Sequence, residues 1–449
     1  MLRGTWVMVM GQALLPTAGE LAVALRRREL GARELLEQVL QCIDRHERKI
    51  QAWVSLDIEG ARAQAEELDR EAAAGRFRGP LHGIPVGVKD IFHVAGMVTT
   101  AGAAPFAHQR ADRDAAAVAA LREAGAIILG KTVTTEFAFL DPAATRNPWN
   151  LEHTPGGSSS GSAAAVAAGM VPLALGSQTV GSTLRPAAYC GIVGLKPTFG
   201  RIDREGMLPL APSLDHVGIL AASVEDAALA YGVVAREPLP QLELWSLEPP
   251  RLGLLRRYTE QGATAAMRAH LEEVSTRLAQ AGARLIDIDL PCDPETVHRH
   301  NEVLLLPEVA AVHAERYASH ADELGPILRA KIEQGMGYRA VDYLAARRFR
   351  EDLQRQLVAA LTDVDALLLP VAPAAAPRGL DSTGDPLFCI PASLCGLPAL
   401  ALPSGLDAHG LPLAVQLVAA PGAEARLLAV GRFCERALGW QRRLPPAVS

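Results

Sequence analysis

Two serines and one lysine stand out as residue types that could do chemistry together. Ser158 lies in the run Gly156-Gly157-Ser158-Ser159-Ser160-Gly161, and Ser182 follows Gly181, 24 positions later. Upstream, Gly83-Ile84-Pro85-Val86-Gly87-Val88 leads into Lys89 and Asp90. Two hydroxyls and one amine can supply a nucleophile, a proton relay and a base. A strand-end lysine is usually solvated, but burial disfavours its charged form and lets it act as a base near neutral pH. A serine on a tight turn can offer its oxygen as nucleophile and the neighbouring amides as an oxyanion hole.

Each feature also has a plainer reading. The glycine-serine run could be only a flexible loop, or it could cradle phosphate at the start of the following helix. The P-loop pattern G-x-x-x-x-G-K-[ST] is absent. A turn serine is most often satisfied by its own backbone. His82 and His216 leave a Ser-His-Asp triad open, although neither serine lies in a G-x-S-x-G context.

The elements that must position these groups alternate. Thr17 to Glu20 resembles a capping box. Helical patterns follow at 21–28, 32–46 and 60–74. Residues 84–88 predict a buried strand, 114–124 a helix and 126–129 a strand. Residues 160–168 predict an alanine-rich helix stopped by Gly169, and 171–175 and 191–195 predict strands. Beyond the proline-rich stretch 238–251, the best candidate for a linker, a helix at 264–280 precedes a strand at 284–290. Helices are predicted at 303–320, 340–361 and 423–437, and strands at 366–370, 399–402 and 413–418. Such alternation argues for an α/β architecture with helices on both faces of a large sheet.

Composition narrows the function. At 449 residues the chain can bury a sizeable core. A net charge of -6 gives no support for binding nucleic acid or an anionic membrane surface. No apolar run reaches transmembrane length. The apolar stretch after Arg3 faintly resembles a signal peptide but lacks an A-x-A-like cleavage site, and 1–16 is read as a disordered or misassigned start. The six cysteines form no C-x-x-C pair, which fits reduced thiols in a cytoplasmic protein. Lysine is scarce: five residues, leaving 39 of the 44 basic side chains as arginine. Lysine at a motif position therefore hints at a task arginine cannot do, since arginine does not give up its proton.

With these segments in order, the chain closely resembles the amidase signature family. Residues 156–169, 176–182 and 186–200 follow the family's serine-glycine motif, nucleophile turn and C-G-x-x-G-x-K-P-T-x-G segment. Residues 83–90, 99–102, 128–138, 145–150, 213–218, 396–400 and 410–418 look like further family segments. The resemblance runs from about Glu20 to the end. It implies one domain over 17–449 with an N-terminal helical region, and a large mixed sheet sandwiched between layers of helices.

The resemblance also implies roles. Ser182 would be the nucleophile, Ser158 the bridging serine after a cis peptide bond from Gly157, and Lys89 the base. The N–H groups of Thr179, Val180, Gly181 and Ser182 would hold the oxyanion. No metal and no cofactor is implied. The chain departs from the family pattern at three places. Gln178 stands for the usual aspartate. Val180 stands for the first glycine of the turn, so it is expected at negative φ. The arginine usually two residues after the nucleophile is displaced to Arg185.

The reading that follows is an amidase that turns a small or aryl carboxylic amide into acid plus ammonia or amine through a seryl acyl-enzyme. Three others remain open. These are the glutaminase subunit of a tRNA-dependent amidotransferase, a hydrolase of biuret- or allophanate-like urea derivatives, and a non-catalytic scaffold. The family leans to homodimers. The substrate pocket is expected between 301 and 350 and around 383–393, but no pattern there reads as a specific ligand contact.

Overall fold

The structure, a computed structural model, describes residues 14–103, 105, 108, 110–239, 249–290 and 292–449. The chain opens with α1 (Ala18–Arg26), α2 (Ala32–Ile50), β1 (Trp53–Leu56) and α3 (Ile58–Ala73). Thr17 and Glu20 do form a reciprocal capping box on α1. The part that carries the candidate residues runs β2 (Pro85–Lys89), α4 (Ala116–Glu123), β3 (Ile127–Thr132), α5 (Ser160–Ala167), β4 (Leu173–Gln178), α6 (Leu184–Cys190), β5 (Val193–Lys196), β6 (His216–Ala221) and α7 (Val224–Val234). Next come β7 (Arg251–Leu254), α8 (Arg256–Gly262), α9 (Ala265–Gln280) and β8 (Arg284–Asp287). A helical stretch of α10 (Pro294–Val312), α11 (Ala314–His320), α12 (Pro326–Met336) and α13 (Ala340–Ala360) leads to β9 (Ala366–Pro370). The chain closes with α14 (Ile390–Leu394), β10 (Ala399–Leu406), β11 (Pro412–Val418) and α15 (Glu424–Leu438).

All eleven strands form one mixed sheet in the order β1-β3-β2-β4-β6-β5-β10-β11-β9-β7-β8. β2 runs parallel to both β3 and β4, whereas β6 is antiparallel to β4 and β5. The central strands are buried along their whole length, as expected for a sheet covered on both faces. α5 and α6 pack on each other and on the sheet, and α7 packs against α4 and α15 in a second helical layer. α5 has no polar face at all: every residue from Ser160 to Ala167 is buried. Its small side chains let the helix lie directly on the strand backbones. A Cβ on Gly161 would come within 2.2 Å of Ala52 O and 2.4 Å of Val133 N.

Several sequence expectations need correction. The helix expected over 303–320 breaks at His313, which ends α10 and precedes α11. The strand expected at 191–195 begins only at Val193, because Gly191 is the left-handed C-cap of α6. α6 itself was not anticipated: Pro186 reads as a helix breaker, yet it sits in the first turn, where a missing N–H costs little. The strand expected to run to 290 ends at Asp287. The stretch 238–251 ends in a strand, since β7 starts at Arg251, and its residues 240–248 lie outside the described residues. Residues 1–13 of the start also lie outside them, whereas Leu15 is buried and its carbonyl accepts a 3.0 Å hydrogen bond from Arg442. All six cysteines are free thiols. No described helix is long and apolar enough to cross a membrane.

Candidate active site

The site forms where the ends of β2 and β4 meet the N-terminus of α5. Lys89 is the last residue of β2 and is completely buried. Its Nζ lies 2.8 Å from Ser158 Oγ and 2.8 Å from Ser177 Oγ. Burial holds its pKa well below the ordinary lysine value, and the negative charge of Asp215 opposes that shift. A neutral amine has two N–H donors and one lone pair. It can donate to Ser177 and accept the proton of Ser158.

The neighbouring serines are committed elsewhere, which singles out Ser158. Ser159 Oγ donates to Ser177 O and accepts from Ser177 N–H, each at 3.2 Å. Ser160 Oγ donates to Gly156 O at 2.8 Å. Ser162 Oγ donates to Leu175 O at 2.9 Å and meets Thr132 Oγ1 at 2.6 Å. The Gly157–Ser158 peptide is cis. The N–H groups of Ser159 and Gly161 are also taken, by Ser182 O and Val133 O, which counts against the phosphate-cradle reading.

Ser182 lies in the turn between β4 and α6 and is 9 % exposed. Its carbonyl accepts from Ser159 N–H at 3.2 Å, so the two serine segments are joined through backbone. Among the described residues no hydrogen bond links Ser158 Oγ directly to Ser182 Oγ. The turn is held from below by Gln178, whose Oε1 accepts from Thr183 N–H and Leu184 N–H at 2.9 Å each, while its Nε2 donates to Ser393 Oγ at 2.9 Å. The uncharged amide therefore caps the turn that the usual aspartate would occupy. Val180 is not among the residues with positive φ. Among the described residues, none of the N–H groups of Thr179, Val180, Gly181 and Ser182 has an acceptor within the protein. These four consecutive donors lie in the turn at Ser182.

Asp215 and Arg185 complete the surroundings. Asp215 accepts from Thr179 Oγ1 at 2.7 Å and from Leu210 N–H and Ala211 N–H at 2.9 and 3.1 Å. Burial pushes its carboxyl up to about 6. Neither Asp215 nor Ser177 was assigned a role from sequence. The only cue was an aspartate embedded in the apolar approach to β6. Arg185 donates to Gly157 O, Thr383 Oγ1 and Gly384 O. His82 bonds to Leu68 O and Arg78 N–H, and His216 to Gln178 O. Neither histidine meets a serine, so the Ser-His-Asp reading is not supported. Among the described residues no group of three or more His, Cys, Asp or Glu is placed to hold a metal ion.

Of the two regions expected to build a pocket, 383–393 packs on the glycine before Ser158, since a Cβ on Gly157 would lie 2.6 Å from Thr383 Cγ2. Region 301–350 reaches the site through Ser213. Glu308 accepts from its N–H at 2.9 Å and its Oγ at 2.5 Å, and Arg350 donates to its carbonyl at 3.1 Å.

Comparison with known proteins adds to this geometry. A profile of the family described as Amidase matches residues 34–428. The chain is 36% identical over 479 residues to a glutamyl-tRNA(Gln) amidotransferase subunit of Roseiflexus castenholzii, covering 96% of this chain and 97% of the relative. Among solved structures, an amidase superposes with a TM-score of 0.87 at 34% identity, covering 94% of this chain and 99% of its own. A vestigial protein complex linked to the evolutionary origins of an s-triazine catabolic enzyme gives 0.87 at 32% identity, covering 96% and 100%.

Proposed function

The chain belongs to the amidase family, and from that premise we propose that it cleaves the C–N bond of a carboxamide through an ester on Ser182. The observation that carries this reading is the 2.8 Å contact between a fully buried lysine amine and Ser158 Oγ. In the reaction, neutral Lys89 accepts the Ser158 proton as Ser158 accepts the proton of Ser182. The Ser182 oxygen attacks the carbonyl carbon. The negative charge that develops on the carbonyl oxygen is met by the N–H groups of Thr179, Val180, Gly181 and Ser182, donors that need no reorganisation. The proton returns through Ser158 to the leaving nitrogen, which departs as ammonia or amine. Water then adds to the ester by the same route and releases the acid.

Two readings of the substrate follow. A small or aryl amide, hydrolysed by the chain alone, is supported by the likeness to the solved amidase. Glutamine, hydrolysed as the ammonia-supplying step of a tRNA-dependent amidotransferase, is favoured by the amidotransferase relatives, which match nearly end to end. The sequence relatives give this second reading the broader support.

The test is ammonia release from glutamine, asparagine, benzamide and biuret by the purified chain, with Ser182→Ala as control. Release from benzamide by the isolated chain selects the first reading. Release from glutamine that depends on added partner subunits selects the second. If no amide is hydrolysed and a fluorophosphonate does not label Ser182, the acyl-enzyme proposal fails.

A further inference from the structure

Arg185 is the feature that the reaction scheme leaves unused. It is buried on α6, immediately after the turn that carries Ser182. One guanidinium nitrogen, Nη2, donates to Gly157 O and to Thr383 Oγ1 at 2.8 Å each, and Nη1 donates to Gly384 O at 2.9 Å. No carboxylate lies within ion-pair distance of it among the described residues. All its acceptors are neutral, and its Nε is buried without one. Burying a guanidinium without a directly paired carboxylate is costly, and the charge of Asp385, in the same loop as Thr383 and Gly384, offsets only part of the desolvation. Its distinguishing contribution is geometric: a rigid planar fork that reaches several acceptors at once, which lysine cannot imitate.

Those acceptors belong to two segments that meet at the glycines preceding the serines. Gly157 O is the carbonyl of the peptide that carries Ser158. Thr383 and Gly384 belong to a loop pressed onto the glycine that precedes each serine. A Cβ on Gly157 would fall 2.6 Å from Thr383 Cγ2, and one on Gly181 would fall 2.9 Å from Pro386 Cβ. The same loop lies against α6, because a Cβ on Gly384 would sit 2.4 Å from the Tyr189 hydroxyl oxygen. One helix therefore carries the Ser182 turn at its start and, through a single arginine, holds both the Ser158 peptide and the loop above it.

We propose that Arg185 is a positioning residue that clamps 383–386 as the roof of the acyl-binding cleft, so that this loop selects which acyl group reaches Ser182. The inference rests on the acyl-enzyme reading above. It assigns specificity to a residue displaced from the family's usual arginine position.

The experiment measures second-order labelling of Ser182 by two fluorophosphonates, one with a methyl and one with an octyl chain, on the full chain. Labelling forms a Ser182 Oγ–P bond and expels fluoride. Thr383→Val keeps the side-chain shape and removes one acceptor of Arg185. It is expected to raise the octyl-to-methyl rate ratio by about 5-fold through a loosened roof, with the pH midpoint unmoved. Arg185→Lys is expected to raise the ratio as well and to slow both reagents, since the fork to Gly157 O is lost. A purely structural role would slow both reagents alike and leave their ratio fixed. An unchanged ratio in Thr383→Val, in protein with the wild-type melting temperature, overturns the proposal even if Arg185→Lys fails to fold. Loss of labelling in wild type would instead overturn the acyl-enzyme reading, and this inference with it.

Discussion

The proposed chemistry depends on Lys89 being uncharged. Arginine cannot supply a neutral base, so Lys89→Arg is expected to lower the Ser182 labelling rate by ~1,000-fold or more, comparable to loss of general-base assistance. A variant that labels at the wild-type rate would remove Lys89 from the relay. The pH dependence has a definite sign. Burial lowers the Lys89 pKa, and the Asp215 carboxylate partly restores it. Asp215→Asn removes that charge, so Lys89 should lose its proton at lower pH still. The acid limb of the labelling-rate profile is then expected to move to lower pH, with the difference visible only above about 6, where wild-type Asp215 is ionised. A shift to higher pH contradicts this arrangement. The scarcity of lysine does not choose among residues. Lys89, Lys131 and Lys196 are all fully buried. Lys131 pairs with Asp90 at 2.7 Å, and Lys196 donates to the Pro197 and Leu397 carbonyls. Only Lys89 meets candidate hydroxyls of the relay.

At the scale of elements, the site depends on how closely α5 approaches the sheet and on how β2 and β3 hold the loop after Lys89. Gly161→Ala would drive a methyl group into the Ala52 and Val133 backbones, neither of which can move independently of β1 and β3. The expected cost is about 3 kcal/mol in denaturant unfolding, at the upper end for overpacked positions. A cost near zero would mean that α5 can slide. Asp90 lies beside Lys89 and ties its own segment to Thr100 and to Lys131. Asp90→Asn strands a buried ammonium and is expected to destabilise the protein by ~3–5 kcal/mol. Asp90→Asn combined with Lys131→Met should recover much of that loss, and a double-mutant cycle measures how much. The turn under Ser182 shows why an element-level reading of motifs falls short. Gln178 replaces a charged residue, but what matters there is an oxygen that accepts two backbone N–H groups, and the amide provides it.

At the scale of the molecule, the helices between β8 and β9 brace the sheet that carries the candidate site. Glu308 on α10 and Arg350 on α13 both hold Ser213, two residues from Asp215. Glu308 also accepts from Tyr343 OH at 2.9 Å. Glu308→Gln replaces an acceptor-only group with one that presents a donor to these hydroxyls. It is expected to cost ~1–3 kcal/mol in stability and to slow Ser182 labelling, because the Asp215 segment loses its anchor. Unchanged labelling with reduced stability would show that the brace supports the fold and not the site.

Periodicity located most of the elements, because helix and strand patterns are local properties, and the resemblance to the amidase signature family supplied the reaction class. The sequence by itself placed α5, β2, β4 and β9 within a few residues and named Lys89, Ser158 and Ser182. It missed α6, where proline in a first turn reads as a breaker, gave no β1, β6, α7, β7, α8, α12 or α14, and ran one helix through His313, where α10 ends. The tertiary structure shows that, of the serines at 158, 159, 160 and 162, Ser158 is the one that meets the lysine, a contact across 69 positions of sequence. It also decided that Lys89 is buried, which holds its pKa well below the ordinary lysine value, that the Asp215 charge opposes this, and that Arg185 turns toward a loop 198 positions away. These outcomes depend on distance and dielectric between segments remote in sequence, and no local pattern carries that information.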